Sequence, residues 1–328
     1  MPYSPSYLAL YRSGELKQRV KILQNRLASC DICPRKCAVN RLEDEHGYCQ
    51  TGRLTYVCSY CDHHGEEPPL SGTRGSGTIF MGRCNLRCVF CQNADISQNK
   101  EWSGEYIFKP SHLARIMIHL QDYRHCHNIN FVSPTHFIPQ IVEAVHLAIP
   151  LGLNIPLVYN SNGYDDVETL KLLDGVIDIY LPDLKYADEE SGRKYSAVRD
   201  YPETARAAII EMYRQVGLLE TDSGGIATRG LIIRHLVLPN ELSGTIETLR
   251  WIAETLSPKV TLSLMAQYYP AHRAPRVPLL SRTLRIKEYE QVLEELHNLN
   301  FENALYQELN AAAYYRPHFF EGDHPFES

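Results

Sequence analysis

Cysteine is the residue whose placement in this chain could do chemistry. Ten are present: six between Cys30 and Cys61, three between Cys84 and Cys91, and Cys126 alone. The tightest group is Cys84-x3-Cys88-x2-Cys91, inside GTIFMGRCNLRCVFCQN, which begins at Gly77. Thiolates hold iron–sulfur clusters, and close spacing lets one loop fold around a cube. Three cysteines serve three irons of a [4Fe–4S] cluster and leave the fourth open to a non-protein ligand. The alternative is a zinc site or structural thiols, but zinc usually takes two cysteines with two more distant ligands.

A second metal-like pattern precedes it, Cys30-x2-Cys33-x3-Cys37-x11-Cys49. Four thiolates so close suit a structural zinc or an auxiliary iron–sulfur cluster. Cys58-x2-Cys61, followed by His63 and His64, adds a third pair. Free thiols or a redox pair are the alternative for these N-terminal residues. Cys126 reads as a small buried apolar residue.

The elements that must position the triad are short apolar runs bounded by turn residues. They predict strands at Thr78–Met81, Ile129–Val132, Ile155–Tyr159, Val176–Leu181, Leu231–Leu238 and Val260–Met265. Between them run amphipathic helices, such as Ser243–Leu256 with Ile246, Leu249, Ile252 and Leu256 on one stripe. Alternating strands and helices imply a parallel sheet with right-handed crossovers. The expected fold is α/β, a partial (β/α)6 barrel with a small Cys-rich N-terminal appendage; a doubly wound open sheet is the alternative. Three regions are expected: a helix and Cys-rich segment at 1–73, the partial barrel at 74–300, and a tail at 301–328. In either fold, ligands belong at the carboxyl ends of the strands.

The pattern CxxxCxφC after a first strand, with Phe90 as the aromatic φ, resembles the signature of the radical S-adenosylmethionine (SAM) superfamily. Further segments resemble its pyruvate formate-lyase activating enzyme-like subfamily. They are CDICPRKC from Cys30, His64-Gly-Glu-Glu67-Pro68, NINFVSPTHF, VYNSNGY, DIYLPDLKY, RHLVLPN and LMAQYYP. The resemblance runs from about Cys30 to His297. It implies that SAM chelates the open iron and is split by one electron. The resulting 5′-deoxyadenosyl radical removes a hydrogen atom from the substrate. It also implies an electron donor such as flavodoxin or ferredoxin, and a glycyl radical enzyme as the protein substrate. The Cys58/Cys61 pair departs from a family pattern of four N-terminal cysteines.

The strand ends then supply candidates for SAM. The second predicted strand ends in Ser133-Pro134-Thr135, without the GGE-like segment common in the superfamily. Ser133 and Thr135 could offer oxygens to the SAM ammonium, or could cap a helix. Asn160 ends the third strand. Asp183 and Lys185 end the fourth, two apart and so on one side, and match the Asp-x-Lys segment of activases. Arg234 lies within an apolar fifth strand and needs a partner, since an unpaired buried charge is costly; Asp183 or the SAM carboxylate would serve. His272 sits in a loop where activases also carry a histidine. His64, Glu66 and Glu67 read as solvated loop residues, with contact to substrate at the barrel mouth as the alternative.

Composition bounds the rest. With 44% hydrophobic and 22% charged residues, the 328-residue chain is of ordinary globular type. A net charge of -6 argues against broad nucleic-acid binding. No stretch approaches the roughly 20 apolar residues of a membrane helix, and Met1 to Val20 lacks a signal-peptide core. The expected location is the cytoplasm. Besides activase chemistry, radical modification of a small molecule, peptide or RNA fits these features, as does a non-catalytic iron–sulfur carrier.

Overall fold

The computed structural model describes residues 3–99, 104–313, 316–320 and 325–326. Of the aromatic stretch Tyr314–Ser328, residues 314–315, 321–324 and 327–328 lie outside the described residues. The strands are β1 (Thr55–His63), β2 (Ser76–Met81), β3 (Ile107–Phe108), β4 (Ile129–Val132), β5 (Leu157–Asn160), β6 (Ile179–Tyr180), β7 (Glu220–Thr221), β8 (Ala227–Leu236), β9 (Thr261–Met265) and β10 (Ala304–Tyr306). They form one sheet in the order β10-β9-β8-β6-β5-β4-β2-β1-β3, with β7 paired to β8.

The six predicted strands are β2, β4, β5, β6, β8 and β9. They pair in parallel, each beside the next in chain order. A doubly wound sheet reverses its strand order at a switch point. This order never reverses, so the sheet curls one way and stays open, as a partial barrel. Helices Pro110–Ile118, Ile138–Ala148, Tyr201–Val216 and Thr245–Thr255 bury their apolar stripes in the main core with the strands. A smaller apolar cluster forms from Val158, Ile179, Leu181 and Ile232 with Leu70 of the short helix Pro68–Ser71. Paired residues of adjacent parallel strands share a face, and Val158 pairs with Ile179. This cluster therefore plugs the barrel lumen.

Near the N-terminus, helices Tyr7–Ser13 and Glu15–Asn25 precede the Cys-rich segment. Leu16 and Leu23 of the second helix, with Leu27 just after it, are fully buried and join the main core. Arg41, 1% exposed, donates to Gly52 O at 3.0 Å and His136 O at 2.8 Å, and so ties this segment to the barrel.

Several elements differ from expectation: β5 runs Leu157–Asn160 against the predicted Ile155–Tyr159, and β8 runs Ala227–Leu236 against the predicted Leu231–Leu238. β6 covers only Ile179–Tyr180 of the predicted Val176–Leu181, because Val176 and Ile177 close a turn onto Leu173 O. Pro182 follows without a backbone N–H, so pairing resumes only at the Asp183–Arg234 bridge. The polar, Cys-rich stretch before Thr73 holds β1, which runs antiparallel to β2 with a bulge between Val57 and Ser59. Its β-branched and aromatic residues Thr55, Tyr56, Val57 and Tyr60 were a strand signal that alternation alone did not reveal.

Candidate active site

All six residues of β2 are buried, and the strand delivers the chain to the loop that carries the three cysteines. The loop is pinned from outside. Arg87 N donates to Ser196 O at 3.2 Å, Val89 N to Tyr195 O at 2.8 Å, and Arg273 N to Val89 O at 2.9 Å. Phe90 is 6% exposed and meets the rings of Tyr186 and Tyr268 edge-on.

Cys84, Cys88 and Cys91 line one cavity of about 1130 Å³. Each sulfur has a polar neighbour. Leu86 N and Asn162 Nδ2 donate to Cys84 Sγ at 3.4 and 3.3 Å. Ser196 Oγ donates to Cys88 Sγ at 2.9 Å, and Cys91 Sγ lies 3.2 Å from Ser97 Oγ. Donors aimed at sulfur fit a thiolate-held cluster, whose potential they help to set. Without metal, burial and then the neighbouring Cys88 push the Cys84 thiol up, and the same causes push Cys91 up to about 12. Among the described residues, no three His, Cys, Asp or Glu side chains converge on a single ion. A cube does not require that convergence, because each thiolate takes its own iron.

Across the cavity the strand ends meet. Lys185 Nζ lies 2.6 Å from Asp183 Oδ2, and Arg234 Nε lies 2.9 Å from Asp183 Oδ1. Arg234 Nη2 donates to Asn160 Oδ1 at 2.7 Å, and its Nη1 lies 3.7 Å from Glu66 Oε2. Burial alone would raise the Asp183 carboxyl, but Arg234 and Lys185 outweigh it and hold the group below the usual range. Asp183 is thus the partner that the sequence demanded for Arg234. Ser133 also lines the cavity, with a left-handed backbone (φ 59°) and its N–H on Asn160 O.

Two of the expected residues lie elsewhere. Thr135 is buried behind the cavity wall, where it donates to Asp165 Oδ1 at 2.7 Å beside Tyr159 and Ser161. Its hydroxyl serves that carboxylate instead of facing a ligand. His272 is exposed at φ 51° and is not part of the cavity lining. The opposite correction applies to Glu66 and Glu67. The solvated-loop reading fails for both: the Glu66 side chain is 8% exposed, Glu67 is 9% exposed, and both line the cavity. The apolar helix Pro68–Ser71 that follows them carries them into the lumen, and a Gly/Pro-rich loop gives no periodic signal of that.

Cys30, Cys33, Cys37 and Cys49 gather at a second place. Burial, then its proximity to Cys49, Cys30 and Cys37, pushes the Cys33 thiol up to about 12. A Cβ on Gly47 would meet Cys37 Sγ at 2.4 Å. Were Cys37 a metal ligand, as the sequence expects, Gly47→Ala would displace it and lower metal retained after gel filtration, with Tm falling in parallel. Wild-type metal content in that variant would contradict a ligand role for Cys37. Arg35 bridges the two cysteine regions, stacking 3.8 Å over Tyr48 and donating to Asn85 O at 3.1 Å. Cys58 and Cys61 do not join the four. They pack in an apolar cluster with Phe80, Ile96 and Phe319, where burial pushes both thiols up to about 12. Cys126 is buried in the main core, as expected.

Residues 78–252 match the family model described as the Radical SAM superfamily, which covers the barrel from β2 through helix Thr245–Thr255. The chain belongs to the radical SAM superfamily. It is 36% identical over 294 residues to a protein of Methanocaldococcus jannaschii, "Uncharacterized protein MJ0674", across 87% of this chain and 80% of the relative. A second protein of that organism, "Uncharacterized protein MJ0808", is 28% identical over 167 residues. The chain spans about half the length of that second relative, the match covering 48% of it. A crystal structure of Streptococcus suis SuiB bound to precursor peptide SuiA aligns with a TM-score of 0.45 at 12% identity, over 70% of this chain and 48% of that one. As a member of the superfamily, this protein is a radical SAM enzyme that uses a [4Fe–4S] cluster and SAM. No helix among its described residues is long and apolar enough to cross a membrane.

Proposed function

We propose that the protein cleaves SAM reductively and takes a hydrogen atom from a small molecule, or from a single side chain, held inside the cavity. The observation that carries this is the C-terminal segment. Leu305, Gln307, Ala311, Pro317 and Phe326 line the same cavity as the three cysteines. Phe319 meets Phe80 of β2 at 5.1 Å, and Phe326 stacks on His63 at 4.2 Å. These residues take up part of the space that a partner's glycine loop would need. The resemblance to activating enzymes supports a second reading, hydrogen abstraction from a glycyl radical enzyme, which needs a wide mouth.

Cys84, Cys88 and Cys91 would hold the cluster, which when bound would pass SAM one electron from a donor such as flavodoxin or ferredoxin. The chain's own residues then bind and orient. Asp183 and Lys185 offer adjacent opposite charges to a zwitterionic head group. Arg234 is held in place by Asp183 and Asn160, with Ser133 beside them. Phe90 keeps the cluster loop against the barrel. The cavity exceeds the usual 300–1,000 Å³ for one drug-sized ligand, which leaves room for SAM and a substrate.

We propose that Cys30, Cys33, Cys37 and Cys49 hold an auxiliary iron–sulfur cluster rather than a zinc ion, since among the described residues no three thiols converge on a single ion and a cube gives each thiolate its own iron. Its support is their gathering around Cys33 with Arg41 Nη1 3.9 Å from Cys30 Sγ. Reduced, anaerobically reconstituted protein incubated with SAM is expected to form 5′-deoxyadenosine. An intact cluster that yields none would end the catalytic reading in favour of an iron–sulfur carrier.

A further inference from the structure

The cavity has a floor that the SAM contacts leave unused. It lies between the apolar plug around Leu70 and the strand ends, and Glu66 and Glu67 build it from the loop that enters the lumen. Three carboxylates, Glu66, Glu67 and Asp183, share this layer with two cations, Lys185 and Arg234. Both cations are already engaged by Asp183, at 2.6 and 2.9 Å. Arg234 reaches Glu66 only at 3.7 Å. With all three carboxyls ionised the layer would be short of one positive charge, in a place largely removed from water.

A second observation points the same way. Glu67 Oε2 is buried and has no hydrogen-bond partner. On β4, Asn130 is fully buried, and neither its Oδ1 nor its Nδ2 has one. Asn130 pairs with Val158 in register, so its side chain stands on the lumen face. A buried carboxylate oxygen and a buried amide left without a partner are costly, and native structures rarely leave them so. Burial drives both glutamate carboxyls up despite Arg234, so each gives up its proton less readily until a further cation pairs with it. A metal ion is a poor candidate, because no three acidic or thiol side chains converge on one point among the described residues.

We propose that this floor binds a protonated amine of the substrate, held by Glu66 and Glu67, with Asn130 behind them as a hydrogen-bond partner of the Glu66 carboxyl. The proposal rests on the cavity being the substrate site of a radical SAM enzyme, and it names the substrate class: an organic ammonium. The amine anchors one end of the substrate at the floor. The hydrogen to be removed lies further up the molecule, toward the three thiolates.

The test uses reconstituted holoprotein saturated with SAM, titrated calorimetrically with n-hexylammonium and with 1-hexanol. The ammonium is expected to bind at least tenfold more tightly. Glu67→Gln is expected to abolish that preference while cluster content and SAM affinity stay at wild-type values. Glu66→Gln is the second variant should Glu67→Gln not fold. Equal binding of amine and alcohol to wild type overturns the proposal. So does a preference that survives both substitutions. Displacement of the amine by equimolar potassium would assign the floor to an inorganic cation. A tenfold loss of SAM affinity in Glu67→Gln would assign it to SAM itself; either result overturns the proposal. Failure to form 5′-deoxyadenosine is a separate readout and bears only on the catalytic reading.

Discussion

Cys84→Ala, Cys88→Ala and Cys91→Ala are each expected to abolish SAM cleavage, with iron at this site falling toward zero. The reason lies in how the loop is built. Its three sulfurs line one cavity, and each has its own polar neighbour: Asn162 and Leu86 N for Cys84, Ser196 for Cys88, Ser97 for Cys91. Among the described residues no other cysteine lines this cavity, and Cys58, Cys61 and Cys126 are committed to apolar packing. The fold itself should persist, because the loop is also held by backbone bonds to Tyr195, Ser196 and Arg273. Circular dichroism near wild type with 5′-deoxyadenosine at the no-enzyme background is the expected pair of results. Undiminished cleavage by any of the three variants would remove that cysteine from the cluster.

Asp183→Ala has the next largest expected effect. Its carboxylate is the shared partner of Lys185 and Arg234, and all three side chains are at most 18% exposed. Removing it leaves two buried cations facing each other. Breaking a buried pair this way costs about 3–5 kcal/mol; contact with the cavity lowers that to about 2–3 kcal/mol here. SAM affinity is expected to fall at least tenfold while cluster iron stays constant. Unchanged affinity would withdraw Asp183 from the SAM site. The pH dependence has a definite sign. The folded carboxyl titrates below its ordinary value, so its stabilisation is full above about pH 4 and is lost as the pH falls through the lowered value. The stability gap between wild type and Asp183→Asn should therefore narrow below about pH 4. Glu66 and Glu67, driven up by burial, work in the other direction: their contribution is greatest at low pH and is lost as the pH rises through the raised values.

The central strands were legible because each is a short apolar run bounded by turn residues, and burial on both faces makes such runs stand out. The prediction for β4 matches its observed limits, Ile129–Val132. β6 was predicted too long, because Val176 and Ile177 are apolar for the sake of a buried turn. β1 went unseen because its bulge and its half-exposed face break the alternation. Among site residues, Asp183 and Lys185 were readable from their two-residue spacing, and Arg234 from its isolation among apolar neighbours. Thr135 and His272 were not, because a residue's position past a strand end does not say which wall its side chain enters.

The order of residues alone determined the cluster loop, since three thiols within eight positions can reach one cube without help from distant parts of the chain. It also determined the alternation of strand and helix that makes a parallel sheet. Tertiary structure decided what meets inside the barrel: Glu66 and Glu67 against Arg234, Asn162 on Cys84, and the C-terminal rings on β2. Those contacts join positions far apart in the chain. They depend on strand register and on which face each strand buries, and no local pattern carries that information.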